Sequence, residues 1–146
     1  MMPKAADGKH IFLQAVCVQV KFTGVNKNVE QLYMDCSIYF QPSIMESHGI
    51  AVQGAMYFKK PCVVSDRQGL PESVINNVTG IVVPVKNTTP AAEAIILLLT
   101  DAEKAMAFGK AGKQKQEKDF NKTKWTGEMD IIFNAVNKKV ITQATV

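Results

Sequence analysis

The chain has 146 residues, of which 47% are hydrophobic, 21% charged and 8% aromatic, with a formal net charge of +4. That length holds one domain or half of something larger, not two full nucleotide-binding domains, and the composition excludes disordered, collagen-like and fibrous classes. The apolar stretches at 11–20 and 91–99 are far shorter than the ~20 residues of a membrane-spanning helix.

Residues 11–22, rich in Val, Ile and Phe and closed by Gly24, predict one buried strand or two short ones. Asn28 is placed to cap a short helix running through Cys36, with Val29, Leu32, Tyr33 and Cys36 on one face. A second apolar strand follows at 37–41 and ends at Pro42-Ser43. Ile50, Val52, Ala55, Met56 and Phe58 predict a largely buried helix after Glu46, stopped by Pro61. Residues 62–65 form a third short strand. A loop at 67–71 leads into a short helix at 71–74, and Thr79-Gly80 turns into a strand at 81–84. Thr88-Thr89-Pro90 opens a helix through 91–99, Asp101 caps a lysine-rich one, and an amphipathic helix carries Trp125, Met129, Ile132, Phe133 and Val136 over 123–138.

Short apolar strands alternating with helices predict an α/β fold: a partial Rossmann-like parallel sheet flanked by helices. Such sheets bind ligands beyond the carboxyl ends of their strands. The turn from Pro42 to Ile50 joins a strand end to a helix N-terminus, where free backbone N–H groups and the helix dipole attract phosphate. Gly49 lets a ligand approach the backbone closely.

Other chemistry is less well supported. Arg67 is the single arginine among 17 basic residues, whereas nucleic-acid recognition favours the bidentate arginine fork. Lys110, Lys113, Lys115, Lys118, Lys122 and Lys124 are interrupted by Glu117 and Asp119, the pattern of a solvated helix face, so nucleic acid is not an expected partner. Cys17, Cys36 and Cys62 have no C-x-x-C spacing and apolar neighbours, which suits buried thiols in a reducing compartment rather than a metal site or disulfides. No targeting segment is read, the glycosylation triplets at Asn77, Asn87 and Asn121 are read as chance, and the expected location is the cytosol or the cytosolic face of a membrane.

Pro42-Ser43, Glu46, Gly49-Ile50, Ala55-Met56, Lys60-Pro61, Val63-Val64-Ser65-Asp66, Gly69-Leu70-Pro71-Glu72, Val74, Thr79-Gly80, Val83-Pro84 and Gly109-Lys110-Ala111-Gly112 occur in an order and spacing that resembles a known family. It is the carboxyl-terminal, nucleotide-sugar-binding half of glycosyltransferase family 4 (glycosyl transferases group 1) enzymes of the GT-B fold, here truncated and diverged. The resemblance covers roughly 20–136. It implies a nucleotide-sugar donor as substrate, no separate cofactor and no metal. It also implies donor-binding roles for Ser43, Glu46, His48, Gly49, Ile50 and Gly69: amides of Gly49 and Ile50 on the diphosphate, and Glu46, the catalytic candidate, on the hydroxyls of the transferred sugar. Read from the residues alone, Glu46 is a carboxylate favourably placed in the first turn of a helix, Asp66 is as well a turn former as a ligand, and Glu72 is structural.

The sequence departs from the family at Gly54, where the second of two glutamates would stand, at Ser47 and His48, at Lys59 in place of a glycine, and at Gln68 in place of the first of two glycines. Residues 1–20 are expected to form a diverged strand region and 21–146 the donor-binding domain. The resemblance implies an acceptor half absent from this sequence, and a last helix whose apolar face would pack on it. Two readings stand beside the donor-binding one: a non-catalytic module packed on a partner chain, and an α/β domain binding another phosphate-bearing ligand at the Gly49 turn.

Overall fold

The computed structural model describes residues 21–120 and 122–144. The expected strand at 11–22 and Cys17 therefore fall outside the described residues, apart from Lys21 and Phe22, which have no regular structure. The elements are α1 (Val29–Asp35), β1 (Tyr39–Gln41), α2 (Ile50–Tyr57), β2 (Cys62–Ser65), α3 (Leu70–Ser73), β3 (Gly80–Val83), α4 (Thr88–Thr100), α5 (Ala102–Asp119) and α6 (Lys122–Ala144). The three strands form one parallel sheet in the order β1-β2-β3, flanked by helices, the α/β architecture the sequence predicts.

The central strand β2 is buried along its whole length, as the uninterrupted run Cys62-Val63-Val64 requires of a strand covered on both faces. Its side chains alternate between two layers. Cys62 and Val64 pack with Val52, Ala55 and Met56 of α2 and with Leu70 and Val74 around α3. Val63 faces the other way, into Val83, Ala91, Ala94 and Leu98 of β3 and α4 and Phe108 of α5. Because Tyr39 pairs with Cys62 and Gln41 with Val64, both belong to the α2 face of the sheet.

Side-chain caps fix the helix starts. Asn28 accepts from the Gln31 amide, Asn87 from that of Thr89, and Asp101 from that of Lys104, each filling an orphan donor of a first turn. Elsewhere the details differ from expectation. No residue of α1 is buried, because a two-turn helix at the sheet edge touches the body mainly through Tyr33 on α2. Ile50 is 75% exposed, since it lies about 200° around the helix from buried Val52. Helix α2 ends at Tyr57, before Pro61 is reached. Lys59 turns left-handed at φ 57°, and the amides of Lys59 and Lys60 bond back to the carbonyls of Met56 and Ala55. This closure is one that glycine normally provides; here a lysine makes it.

Helix α5 packs on α2, and its Gly109 lies against the Lys59 carbonyl just past the end of α2 with no room for a β-carbon. Helix α6 leaves Trp125, Ile132, Phe133 and Val136 of the expected amphipathic face more than half exposed, while Met129 is half-buried.

Candidate functional site

At the carboxyl end of β1 the chain turns at Pro42 and reaches α2 through Ser43, Glu46, Ser47, His48 and Gly49. Gly49 is the N-cap of α2 in the left-handed region, φ 71° and ψ 40°, a conformation that costs a residue with a β-carbon ~1–2 kcal/mol. A β-carbon there would also stand 3.0 Å from Val52 and 3.3 Å from Leu70. The glycine thus turns the amides at the mouth of α2 into the loop.

The Glu46 carboxylate sits on those amides. Its Oε1 accepts from the Gly49 N–H at 3.1 Å and the His48 N–H at 3.4 Å, and its Oε2 accepts from the Gln41 side-chain amide at 2.8 Å. The Gly49 hydrogen bond above all, with those of His48 and Gln41, holds the Glu46 carboxyl below its ordinary value, because each donor favours the ionised form. In this conformation Glu46 folds back onto the loop amides just ahead of α2; it stands three residues before the N-cap Gly49, outside the first helical turn in which the residues alone would place it.

A second loop, between β2 and α3, clamps the first. Gly69 donates from its amide to the Glu46 carbonyl at 3.1 Å, and the Gln68 side-chain oxygen accepts from the Glu46 amide at 3.0 Å. The carbonyl of His48 accepts from Ser73 Oγ at 3.3 Å and Gln53 Nε2 at 3.2 Å. Gly69 lies directly against the Ser47 carbonyl and would place a β-carbon 3.0 Å from His48 Cα. Gln68 holds φ 47°, a left-handed turn that glycine takes without strain. Ser43 accepts from Gln41 Nε2 at 3.2 Å, and its carbonyl accepts from Ser65 Oγ.

Four of the six predicted site residues, Ser43, Glu46, His48 and Gly49, thus share one loop, Ile50 opens α2 directly after it, and Gly69 is packed against it. The His48 ring lies at the exposed rim, edge-on to Phe120 with centroids 5.7 Å apart, while Ile50 points its side chain to solvent. Asp66 acts as a staple: its amide donates to the Val83 carbonyl and its Oδ1 accepts from the Val85 amide at 3.0 Å. A cleft of about 280 Å³ opens beside the loop, lined by Phe40, Pro42, Ile44, Ser65, Pro84 and Lys86. Among the described residues no group of His, Cys, Asp and Glu could hold a metal ion, and no helix is long and apolar enough to cross a membrane.

Gln41, Tyr39, Gln68 and Tyr33 are given no role at the site from sequence. Gln41 had one visible signal, a polar residue ending an apolar strand two positions after a tyrosine. Tyr33 matters through Gly54: its ring occupies the space a side chain at 54 would enter, 2.9 Å from a β-carbon built there.

Comparison with known proteins bears on the fold and the family. The chain is 30% identical over 95 residues to N,N'-diacetylbacillosaminyl-diphospho-undecaprenol alpha-1,3-N-acetylgalactosaminyltransferase of Campylobacter jejuni, covering 65% of this chain and 25% of that protein. It is 28% identical over 115 residues to N-acetyl-alpha-D-glucosaminyl L-malate synthase of Bacillus anthracis, covering 79% of this chain and 30% of the relative. It therefore spans about a quarter to a third of the length of these curated relatives. Among solved structures it resembles sucrose-phosphate synthase of Thermosynechococcus elongatus, with a TM-score of 0.71, 27% identity, and coverage of 74% of this chain and 27% of that one. Anabaena HepE in complex with UDP shares the fold at a TM-score of 0.76 and 21% identity, covering 79% of this chain and 32% of that one. These structural neighbours are GT-B glycosyltransferases. Residues 14–115 match the family described as Glycosyl transferases group 1, and the chain belongs to that family.

Proposed function

We propose that this chain is the donor-binding half of a retaining glycosyltransferase, taking a nucleotide sugar at the loop between β1 and α2. The observation that carries the reading is the set of inward-turned amides at Gly49 and His48, already engaged by an anion, the Glu46 carboxylate. A site that seats a carboxylate on the N-terminus of a helix suits a diphosphate as well. In the reaction, the amides of Gly49 and Ile50 would stabilise the charge that develops on the leaving nucleoside diphosphate. Glu46 would contact the hydroxyls of the transferred sugar, Ser43 and His48 would line the site, and Gly69 would keep the loop in place.

The printed names of the relatives support a sugar-transfer role, and HepE has been crystallised with UDP and with UDP-glucose. Free Cys36 and Cys62 suit a cytosolic location. The acceptor and the groups that select it would come from sequence outside the part matched here, as a further segment or a partner chain.

A second reading, a non-catalytic module packed on a partner, is favoured by one observation: Tyr33 fills the space above Gly54 where the second family glutamate would project. Calorimetric titration of the chain with UDP, GDP and their sugar conjugates separates the two. Saturable binding that depends on the sugar and is lost in Gly69→Val supports the donor site; no binding by a folded chain supports the module.

A further inference from the structure

Beneath the site loop, four side chains form one continuous polar relay. The Tyr39 hydroxyl donates to Gln41 Oε1 at 2.8 Å, Gln41 Nε2 donates to Glu46 Oε2 at 2.8 Å and to Ser43 Oγ at 3.2 Å, and Glu46 Oε1 receives the amides of Gly49 and His48. The orientation of the Gln41 amide follows from its partners. An ionised carboxylate only accepts, so the nitrogen faces Glu46 and the oxygen is left to the Tyr39 hydroxyl. The strand periodicity sets this up, since residues 39 and 41 share the α2 face of the sheet. Half-buried Gln41 thereby reaches Glu46 from the last residue of β1, where its backbone is held in the sheet by pairing with Val64.

We infer that Gln41, braced by Tyr39, is a positioning residue that seats the Glu46 carboxylate on the amides of His48 and Gly49 at the entrance to α2, so that the donor site is closed by the chain's own anion until a diphosphate displaces it. This inference rests on the donor-binding reading. It makes the relay a latch. Each oxygen of Glu46 is held by a separate anchor, the His48 and Gly49 amides on one side and Gln41 on the other. An incoming diphosphate competes for the amides, and Gln41 decides how firmly Glu46 resists. Once released, Glu46 is free to turn to the sugar, which couples donor entry to the placement of the catalytic candidate.

The charged and titratable groups around Glu46 are few. Tyr39 faces it from β1, with its hydroxyl pushed further toward the neutral form by burial and by the nearby carboxylate. His48 follows it in the loop, and Arg67, paired with Asp66 at 3.7 Å, lies on the clamping loop. Neither His48 nor Arg67 makes a hydrogen bond to the Glu46 carboxylate through its side chain, so Gln41 is the side-chain donor that a substitution can remove.

The test is a pH titration of the Glu46 side-chain carboxyl by carbon-detected NMR in the full chain, wild type against Gln41→Met, with Tyr39→Phe as the milder variant should Gln41→Met not fold. Losing the Gln41 donor is expected to move the Glu46 titration upward, with the Gly49 amide reporting the same midpoint; Tyr39→Phe moves both by less. The same proteins are then titrated with inorganic pyrophosphate and UDP, and Gln41→Met should bind roughly 10- to 100-fold more tightly, the scale of one hydrogen bond to a charged group. A Glu46 titration unchanged in both variants overturns the positioning role. A shifted titration with unchanged pyrophosphate affinity overturns the latch. If the shift occurs but no variant binds either ligand, the donor-binding reading falls and takes the displacement step with it, while the positioning of Glu46 by Gln41 stands.

Discussion

The Tyr33 hydroxyl donates to the Ala51 carbonyl at 2.8 Å while the Tyr33 ring lies over Gly54, one turn further along α2. The ring is stacked on Phe58 with centroids 5.8 Å apart and tilted against Tyr39 at 5.9 Å. A glycine within a helix ordinarily costs ~0.5–1 kcal/mol relative to alanine; here the missing side chain is what lets α1 dock.

Gly54→Ala is therefore expected to lose the usual gain, because its β-carbon meets the Tyr33 ring at 2.9–3.0 Å. In a Tyr33→Ala background the same substitution should stabilise by ~0.5–1 kcal/mol. A double-mutant cycle by urea denaturation measures the coupling, expected at ~0.5 kcal/mol or more. Strict additivity would sink the account of Gly54.

Gly69→Ala is expected to push the β2–α3 loop off the Ser47 carbonyl, at a stability cost of ~1–3 kcal/mol for overpacking against backbone. Nucleotide affinity should fall by more than ~10-fold, because the displaced residues carry the amides of the site. Denaturation and calorimetry on the same sample separate the two effects.

Lys59→Gly should stabilise the chain by about 0.5 kcal/mol, since Lys59 is exposed and left-handed at φ 57°, and relief of that strain exceeds glycine's entropy cost by a small margin. Lys59→Ala should give no such gain. Thermal midpoints of the three proteins decide the matter.

The depressed Glu46 carboxyl has a definite pH signature. Folding contributes stability through it above the unfolded carboxylate value, near 4.5, and that contribution is lost as the pH falls through the lower folded value. Glu46→Gln should therefore differ from wild type most at neutral pH and converge on it in acid. A gap that widens on acidification would contradict the capping geometry.

Cys62 is buried against α2, and burial pushes its thiol up to about 12. It should resist alkylation at pH 8 in the native chain and react only as fast as the protein unfolds. Peptide mass spectrometry after timed iodoacetamide treatment reads this directly.

Strands, caps and loops were legible where chemistry was local. The run Cys62-Val63-Val64-Ser65 reads as a buried strand because nothing in it tolerates water, and Asn28 and Asp101 announce their helices through their own side chains. The site loop was legible through Glu46, Gly49 and Gly69, whose spacing resembles the family's. What stayed hidden depended on contacts between distant segments. Tyr33 and Gly54 are 21 positions apart, and no periodicity links them. Gln41 looked like the end of a strand, because its role arises only when the loop folds Glu46 back beneath the sheet end. The departures at Lys59 and Gln68 were visible as residues, but their left-handed backbones were not.

The most direct test of the donor site is an amide NMR titration of the full chain with UDP, GDP and their sugar conjugates. The account predicts a dispersed spectrum in which the amides of His48, Gly49, Ile50 and Gly69 shift saturably, with responses that depend on the sugar and change in Glu46→Gln. A dispersed spectrum in which those amides stay still at saturating nucleotide would contradict it.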